Sequence, residues 1–270
     1  MRTRFLLVGA IFLASSAVAQ QPAPGGMEHT VPVANCADLP AMQKQLDADA
    51  GRLRDWAQLE RYRQANAELP PPTKDELRVV FMGDSITDNW GRPQFGRFFP
   101  GKPYINRGIG GQTTPQMLIR FRPDVIDLKP QVVVILAGTN DIAGNTGPMT
   151  LEQTEENLAS MTELAHADGI RVVLSSLTPV RDGIIGKEGK ALVQTKQRPP
   201  SVILALNEWI KKYAAENGLV YLDYFSATVD DQGFLKPDIT VDGLHPNAQG
   251  YAVMAPLAQK AIEASLQLKP

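Results

Sequence analysis

The sequence predicts an α/β protein, a three-layer α/β/α fold around a central parallel sheet of about five strands. Two observations predict it. Short apolar segments rich in Val, Ile and Leu recur at residues 77–82, 104–106, 131–137, 171–176 and 219–223, as strands buried on both faces do. Between and after them lie amphipathic stretches, 114–121, 150–167, 201–217 and 247–266, with apolar residues at helical spacing. Strands alternating with helices give a parallel sheet covered on both sides.

In chain order, the first segment is a secretion signal. Arg2 and Arg4 precede an apolar core, and Ala17-Val18-Ala19 is a small-residue cleavage site, so residues 1–19 are expected to be removed. The apolar core is too short to span a bilayer, so no stable membrane anchor is expected after cleavage. Secreted or periplasmic localisation follows. Cleavage removes two arginines and no acid, moving the net charge from −2 to −4. That balance lacks the basic stripe of a nucleic-acid binder. Cys36 is the single cysteine, so the export compartment adds no internal disulfide.

Residues 20–38 are rich in Pro, Gly and Ala and read as a flexible segment. Residues 39–72 read as an N-terminal amphipathic helix and a Pro linker. Leu39, Met42, Leu46, Leu53 and Trp56 form its apolar stripe, the helix runs to about Leu69, and Pro70-Pro71-Pro72 stops it. Residues 73–270 are expected to form the main domain. Within it, residues 181–200 make a long polar loop containing Gly183, Gly186 and Gly189, and long loops in compact domains are commonly functional.

The chemistry lies at the strand ends. Ser85 leaves the first strand within Gly83-Asp84-Ser85-Ile86, placed to be an exposed nucleophile. The chain has only His29, His166 and His245. His29 sits in a polar N-terminal stretch, and His166 sits near a helix end, where a cation suits the dipole. Only His245 has a carboxylate at a useful offset, in Asp242-Gly243-Leu244-His245-Pro246. His245 can take the Ser85 proton, and Asp242 can orient the imidazole. Asn106 to Thr114, with Gly108, Gly110 and Gly111, follows the second strand and opens a helix, so its backbone N–H groups can face an anion. Asn140, in Gly138-Thr139-Asn140-Asp141 after the third strand, can donate its amide to an oxyanion or cap the next segment. Asp84 and Asp141 read as braces for their loops. In an open parallel sheet, ligands bind at the carboxyl ends of the strands. Ser85, the glycine turn and Asn140 therefore converge on one edge.

These blocks, in this order, resemble the SGNH hydrolases, also called the GDSL esterase/lipase family, over residues 77 to about 268. Their spelling is similar to the branch holding platelet-activating-factor acetylhydrolase catalytic subunits and lysophospholipase-like acylhydrolases. Ile86 departs from the Leu in the family's name. The resemblance implies a flavodoxin-like sheet and an oxyanion hole formed by Ser85, a glycine of the Gly110–Gly111 pair and Asn140. Gly111 is the better positional match. It also implies carboxylic ester hydrolysis through a Ser85–His245–Asp242 triad, with a small-molecule, glycan or lipid acyl ester as substrate and acetyl groups preferred. Lysophospholipase or thioesterase action on longer chains is the alternative, followed by a non-catalytic binder that retains the fold. No cofactor is expected. Asp84, Asp88, Asn140, Asp141, Asp242 and His245 superficially offer metal ligands, but one well-placed histidine argues against a phosphoesterase-type metal site.

Overall fold

The computed structural model describes residues 39–268. The expected signal, the 20–38 segment, His29 and Cys36 lie outside the described residues. The chain divides into two compact units, Met1–Asp47 and Ala48–Pro270. In the first unit, the described residues are the opening turns of a helix, where Gln43 donates to Asp47 one turn on at 2.9 Å. Apart from those opening turns, everything below concerns the second unit.

Helices α1 (Leu39–Arg54) and α2 (Glu60–Glu68) occupy the stretch expected to be one continuous helix to about Leu69. The break corrects that expectation. Gln58 adopts a left-handed φ of 55°, which ends a right-handed helix. The Asp55 carboxylate turns back to accept from the N–H groups of Leu59 (2.7 Å) and Glu60 (3.0 Å), satisfying donors at the start of α2. The carbonyls at the break are taken by the body of the protein. Gln116 donates to the Trp56 carbonyl at 2.6 Å and Gln112 to that of Ala57 at 2.8 Å. Tertiary hydrogen bonds here override an amphipathic pattern that local propensity alone carries through.

The sheet has five parallel strands, β1 (Val79–Gly83), β2 (Tyr104–Gly108), β3 (Val132–Leu136), β4 (Arg171–Ser175) and β5 (Val220–Leu222), in the order β2-β1-β3-β4-β5. Each lies within or beside its expected segment. The remaining helices are α3 (Ser85–Asn89), α4 (Thr114–Asp124), α5 (Thr139–Ile142), α6 (Leu151–Ala167), α7 (Pro200–Glu216), α8 (Phe225–Thr228) and α9 (Ala248–Ser265). Helices α4, α6 and α7 pack side by side, and α9 lies against β3, β4 and β5. Strands β1 and β3 are buried along their whole length, which explains why their sequences do not alternate.

The chain turns from β1 to β2 on one side and then crosses to β3 on the other, so the order reverses between β1 and β3. Gly83 at the end of β1 pairs in register with Gly108 of β2 and Leu136 of β3. Three strand ends are thus level, and the loops leaving them meet at the switch point, where α/β sheets bind ligands. Gly83 permits this closeness: a Cβ there would lie 2.2 Å from Thr87 Oγ1 and 2.9 Å from the Leu136 carbonyl. Beneath the site, Arg120 is fully buried and spent on structure. It binds Gln112 Oε1 (2.5 Å), the Arg107 carbonyl (2.8 Å), the Gly83 carbonyl (3.0 Å) and Asp124 (3.0 Å).

Candidate active site

Ser85 is the first residue of α3, directly beyond β1. Its Oγ lies 2.8 Å from His245 Nε2, and His245 Nδ1 lies 2.7 Å from Asp242 Oδ2. A residue just after the first strand and an imidazole 160 positions later are therefore joined by one hydrogen-bonded chain.

The Asp242–His245 turn is organised locally. Asp242 Oδ1 accepts from the backbone N–H groups of Leu244 (3.0 Å) and His245 (2.7 Å), leaving Oδ2 for the ring. Thr240 Oγ1 accepts from Gly243 N–H (3.0 Å) and donates to the His245 carbonyl (2.8 Å). Gly243 has a φ of 83°, and a Cβ there would sit 2.0 Å from the Arg181 carbonyl oxygen. Only glycine fits this corner. Asn247 then caps α9, accepting from Gln249 N–H (2.9 Å) and Gly250 N–H (3.0 Å). Burial favours the neutral acid at Asp242, yet the bonds from the His245 ring and backbone hold its carboxyl below the usual range. It stays an anion, as the partner of an imidazolium must.

Asn140, in α5, is 3% exposed. Its Nδ2 donates to the Gln112 carbonyl at 3.0 Å, which leaves the second amide hydrogen available. Its Oδ1 accepts from Arg198 Nη2 at 3.3 Å, which fixes the orientation of the amide. The glycine turn lies beside Ser85, with Ile109 N–H bonded to the Gly83 carbonyl at 3.0 Å. A Cβ on Gly110 would lie 3.8 Å from Ser85 Cβ. Gly111 has a φ of 79°, and its carbonyl accepts from Asn145 at 3.0 Å. The backbone N–H of Ser85 lies in the first turn of α3, where a helix leaves its N–H groups without an intrahelical partner, and that of Gly111 lies in the turn leading to α4. The site thus offers N–H donors beside a hydroxyl held by a base, the chemistry that a tetrahedral oxyanion requires.

Asp84 and Asp141 brace the loops, as expected. Asp84 is fully buried and accepts from Ile86 N–H at 2.9 Å. Burial pushes its carboxyl up to about 6. Asp141 accepts from Thr114 N–H (3.0 Å) and Thr114 Oγ1 (2.5 Å), tying the Asn140 loop to the start of α4. Burial raises its carboxyl too. Asp223 accepts from Ser226 N–H and Oγ at the head of α8. Among the described residues, no group of three or more His, Cys, Asp or Glu side chains comes together to hold a metal ion. His166 sits in the last turn of α6, as expected from its position.

Sequence reasoning missed Arg198. It lies in the long loop, 6% exposed, against Asn140 and within the influence of Asp84 and Asp242. Burial lowers its guanidinium, while those two carboxylates pull it back up. Its Nε is buried without a partner among the described residues. No motif marks it, since an arginine before Pro199-Pro200 reads as an ordinary loop charge.

Two clefts border the site, one beside His245 and the other beside Gly110 and Gly111. One, about 920 Å³, runs from His245 and Asp242 under the long loop to Phe95. The other, about 750 Å³, borders Gly110 and Gly111 and is walled by Trp56, Gln58, Gln116 and Asn145.

The profile of the GDSL-like Lipase/Acylhydrolase family matches residues 81–253. A solved GDSL-like lipase from Bacteroides thetaiotaomicron superposes with a TM-score of 0.69 at 42% identity, covering 77% of this chain and 98% of that one. An acetylxylan esterase of Xylanibacter ruminicola is 26% identical over 233 residues, 72% of this chain and 45% of its own length. The uncharacterized lipoprotein YqeF of Bacillus subtilis is 38% identical over 82 residues, 29% of this chain and 34% of its own. The chain thus spans less than half the length of these two curated relatives.

Proposed function

The chain belongs to the GDSL-like lipase/acylhydrolase family, and from that premise we propose that it is a serine esterase that cleaves carboxylic esters through an acyl-enzyme. The observation that carries this reading is the continuous Ser85 Oγ–His245 Nε2 and His245 Nδ1–Asp242 Oδ2 pair of hydrogen bonds, at 2.8 and 2.7 Å.

In this mechanism Ser85 Oγ attacks the ester carbonyl carbon, and His245 Nε2 takes its proton. Asp242 stabilises the imidazolium without taking the proton itself. The carbonyl oxygen, now an oxyanion, receives hydrogen bonds from the N–H groups of Ser85 and Gly111 and from Asn140 Nδ2. Collapse breaks the bond to the alcohol oxygen, which leaves with the proton from Nε2. Water then repeats the sequence on the acyl-serine, with His245 as base, releasing the acid and Ser85.

Short acyl groups, acetyl above all, are the proposed substrates. The similarity to an acetylxylan esterase supports that preference. We also infer export, with residues 1–19 as the removable signal, 20–38 as a spacer, and 73–270 as the catalytic domain. The apolar N-terminus supports this, as does the match to a lipoprotein. Among the described residues no helix is long and apolar enough to cross a membrane.

The test is hydrolysis of p-nitrophenyl esters from acetate to palmitate by wild type and by Ser85→Ala. Activity is expected to be highest at acetate and lost in the variant, with the wild-type circular dichroism spectrum retained. A folded Ser85→Ala protein with wild-type turnover ends the mechanism. An optimum at about ten carbons or more, where each buried methylene adds binding energy, favours a lysophospholipase or lipase instead.

A further inference from the structure

The loop at 181–200 folds back on itself as an antiparallel turn. Leu192 N–H donates to the Ile184 carbonyl, and Gly183 N–H to the Leu192 carbonyl, both at 2.9 Å. Nearer the tip, Gly186 N–H bonds to the Lys190 carbonyl at 2.9 Å, and Ile185 bridges Ala191. Its base is fastened to the catalytic turn. Arg181 N–H bonds to the Gly243 carbonyl at 2.8 Å, and Gln194 Nε2 to the Asp242 carbonyl at 3.1 Å. Asp182 locks the two ends of the hairpin, accepting from Gln194 N–H (2.6 Å) and Thr195 N–H (2.9 Å). This segment is therefore anchored to the residues that carry the base.

The sequence reads as polar here, yet the hairpin turns its apolar residues toward His245. The cleft of about 920 Å³ has Phe95, Ile185, Leu192, Val193 and Val241 in its walls, Lys187, Glu188 and Lys190 at the hairpin tip, and His245 and Asp242 also lining it. Ile185 is 64% exposed, Val193 58% and Val241 45%. Large apolar side chains left open to water around a single cleft mark a surface meant to be covered. The opposite cleft, at the glycine turn, is lined mainly by Asp, Asn, Gln and Thr around Trp56.

Which half of an ester the apolar cleft receives follows from the proton. His245 Nε2 takes the proton from Ser85 Oγ and must return it to the leaving oxygen. The leaving oxygen therefore sits within hydrogen-bond reach of Nε2, and the rest of the alcohol extends into the space that His245 borders. The oxyanion points the other way, to Asn140 and the glycine turn. We infer that the cleft under the 183–192 hairpin is an alcohol-side subsite, selecting esters whose alcohol carries an apolar alkyl or aryl body. This rests on the serine esterase reading and adds to it. The small acyl group sets one requirement and the apolar alcohol sets a second, independent one.

Two ester series followed by pH-stat test this. In the first, the acyl group is acetyl and the alcohol grows from ethanol through butanol and hexanol to octanol. These alcohols ionise alike, so differences in kcat/KM report binding and not leaving ability. In the second, ethanol is fixed and the acid grows from acetic to octanoic. The alcohol series is expected to climb by up to roughly threefold to fourfold per methylene until the cleft is filled. The acid series is expected to fall. Ile185→Ser should lower the octyl-to-ethyl acetate ratio of kcat/KM at least about fivefold, as expected when a large apolar contact is lost. Val193→Ser, on the neighbouring wall, provides the same readout should the first variant misfold. A flat alcohol series with a rising acid series overturns the inference and makes the cleft an acyl pocket. Flat behaviour in both series, or an unchanged ratio in folded variants, also overturns it. Wild-type protein that cleaves no ester in either series instead overturns the esterase reading itself, a result distinct from any of these.

Discussion

The two halves of the site are built differently. The histidine half is local: Asp242 and His245 are three residues apart, and their side chains are 28% and 22% exposed. One carboxylate, one glycine corner and Thr240 set its geometry. The half proposed to hold the oxyanion is long-range, and its side-chain amide is buried while its glycine turn is exposed. Asn140 is fixed by Arg198 across 58 residues and by the Gln112 carbonyl across 28. Asp141 grips Thr114 across 27. A local turn can be read from its own sequence and broken by one substitution. A buried network shares its effect among coupled members, so only paired substitutions can apportion it.

Asp242→Asn is the sharpest probe of the local half. The amide can still accept from the backbone, so the turn should persist while the imidazole tautomer is upset. The expected loss is about 10⁴-fold in kcat. Rates within tenfold of wild type would mean that His245 is oriented by another group. Asn140→Ala should act on the other half, lowering kcat by about 10²–10³ with little change in KM, because an oxyanion donor favours the transition state over the ground state. A change confined to KM would make Asn140 a binding or loop residue and the contrast between halves would fail.

Arg198→Met removes the cation that holds the Asn140 amide. Loss of one charge-assisted hydrogen bond corresponds to about tenfold in kcat. The informative measurement is the double-mutant cycle with Asn140→Ala. If Arg198 acts through the amide, its effect should largely vanish once Asn140 is gone. An equal loss in both backgrounds would assign Arg198 to Asp84 and Asp242 instead.

What could be read from the sequence divides along the same line. Every strand was visible because β1 and β3 are continuous apolar runs, and Asp242–His245 was visible because three residues fix it. The glycine turn was visible as a motif, but its pairing with the Gly83 carbonyl was not. Arg198 carried no pattern, since its meaning comes from the loop folding over Asn140. The break between α1 and α2 was hidden for a related reason: Gln112 and Gln116, far along the chain, compete for carbonyls that a continuous helix would keep. The apolar wall of the 183–192 hairpin was masked by the glycines and charges interspersed with it.

Asp84 lies beneath both halves and supplies the subtlest test, one of stability and not of rate. It is fully buried, one of its oxygens has no partner among the described residues, and burial raises its carboxyl from 3.8 to about 6. The Ile86 N–H and the nearby His245 and Arg198 pull it down, and Asp141 adds to the rise. The folded protein therefore keeps the Asp84 proton up to about pH 6, while the unfolded chain releases it near 3.8. Stability from this group is full below the unfolded value and is lost as pH climbs through the folded one. A shift of this size corresponds to about 3 kcal/mol. Asp84→Asn cannot ionise, so its stability relative to wild type should rise between about pH 4 and 6 and level off above 7. Urea unfolding of both proteins across that range measures the difference directly. Parallel stability curves would show that Asp84 is already ionised at acid pH, held as a carboxylate by His245 and Arg198, and would tie it electrostatically to the histidine half of the site.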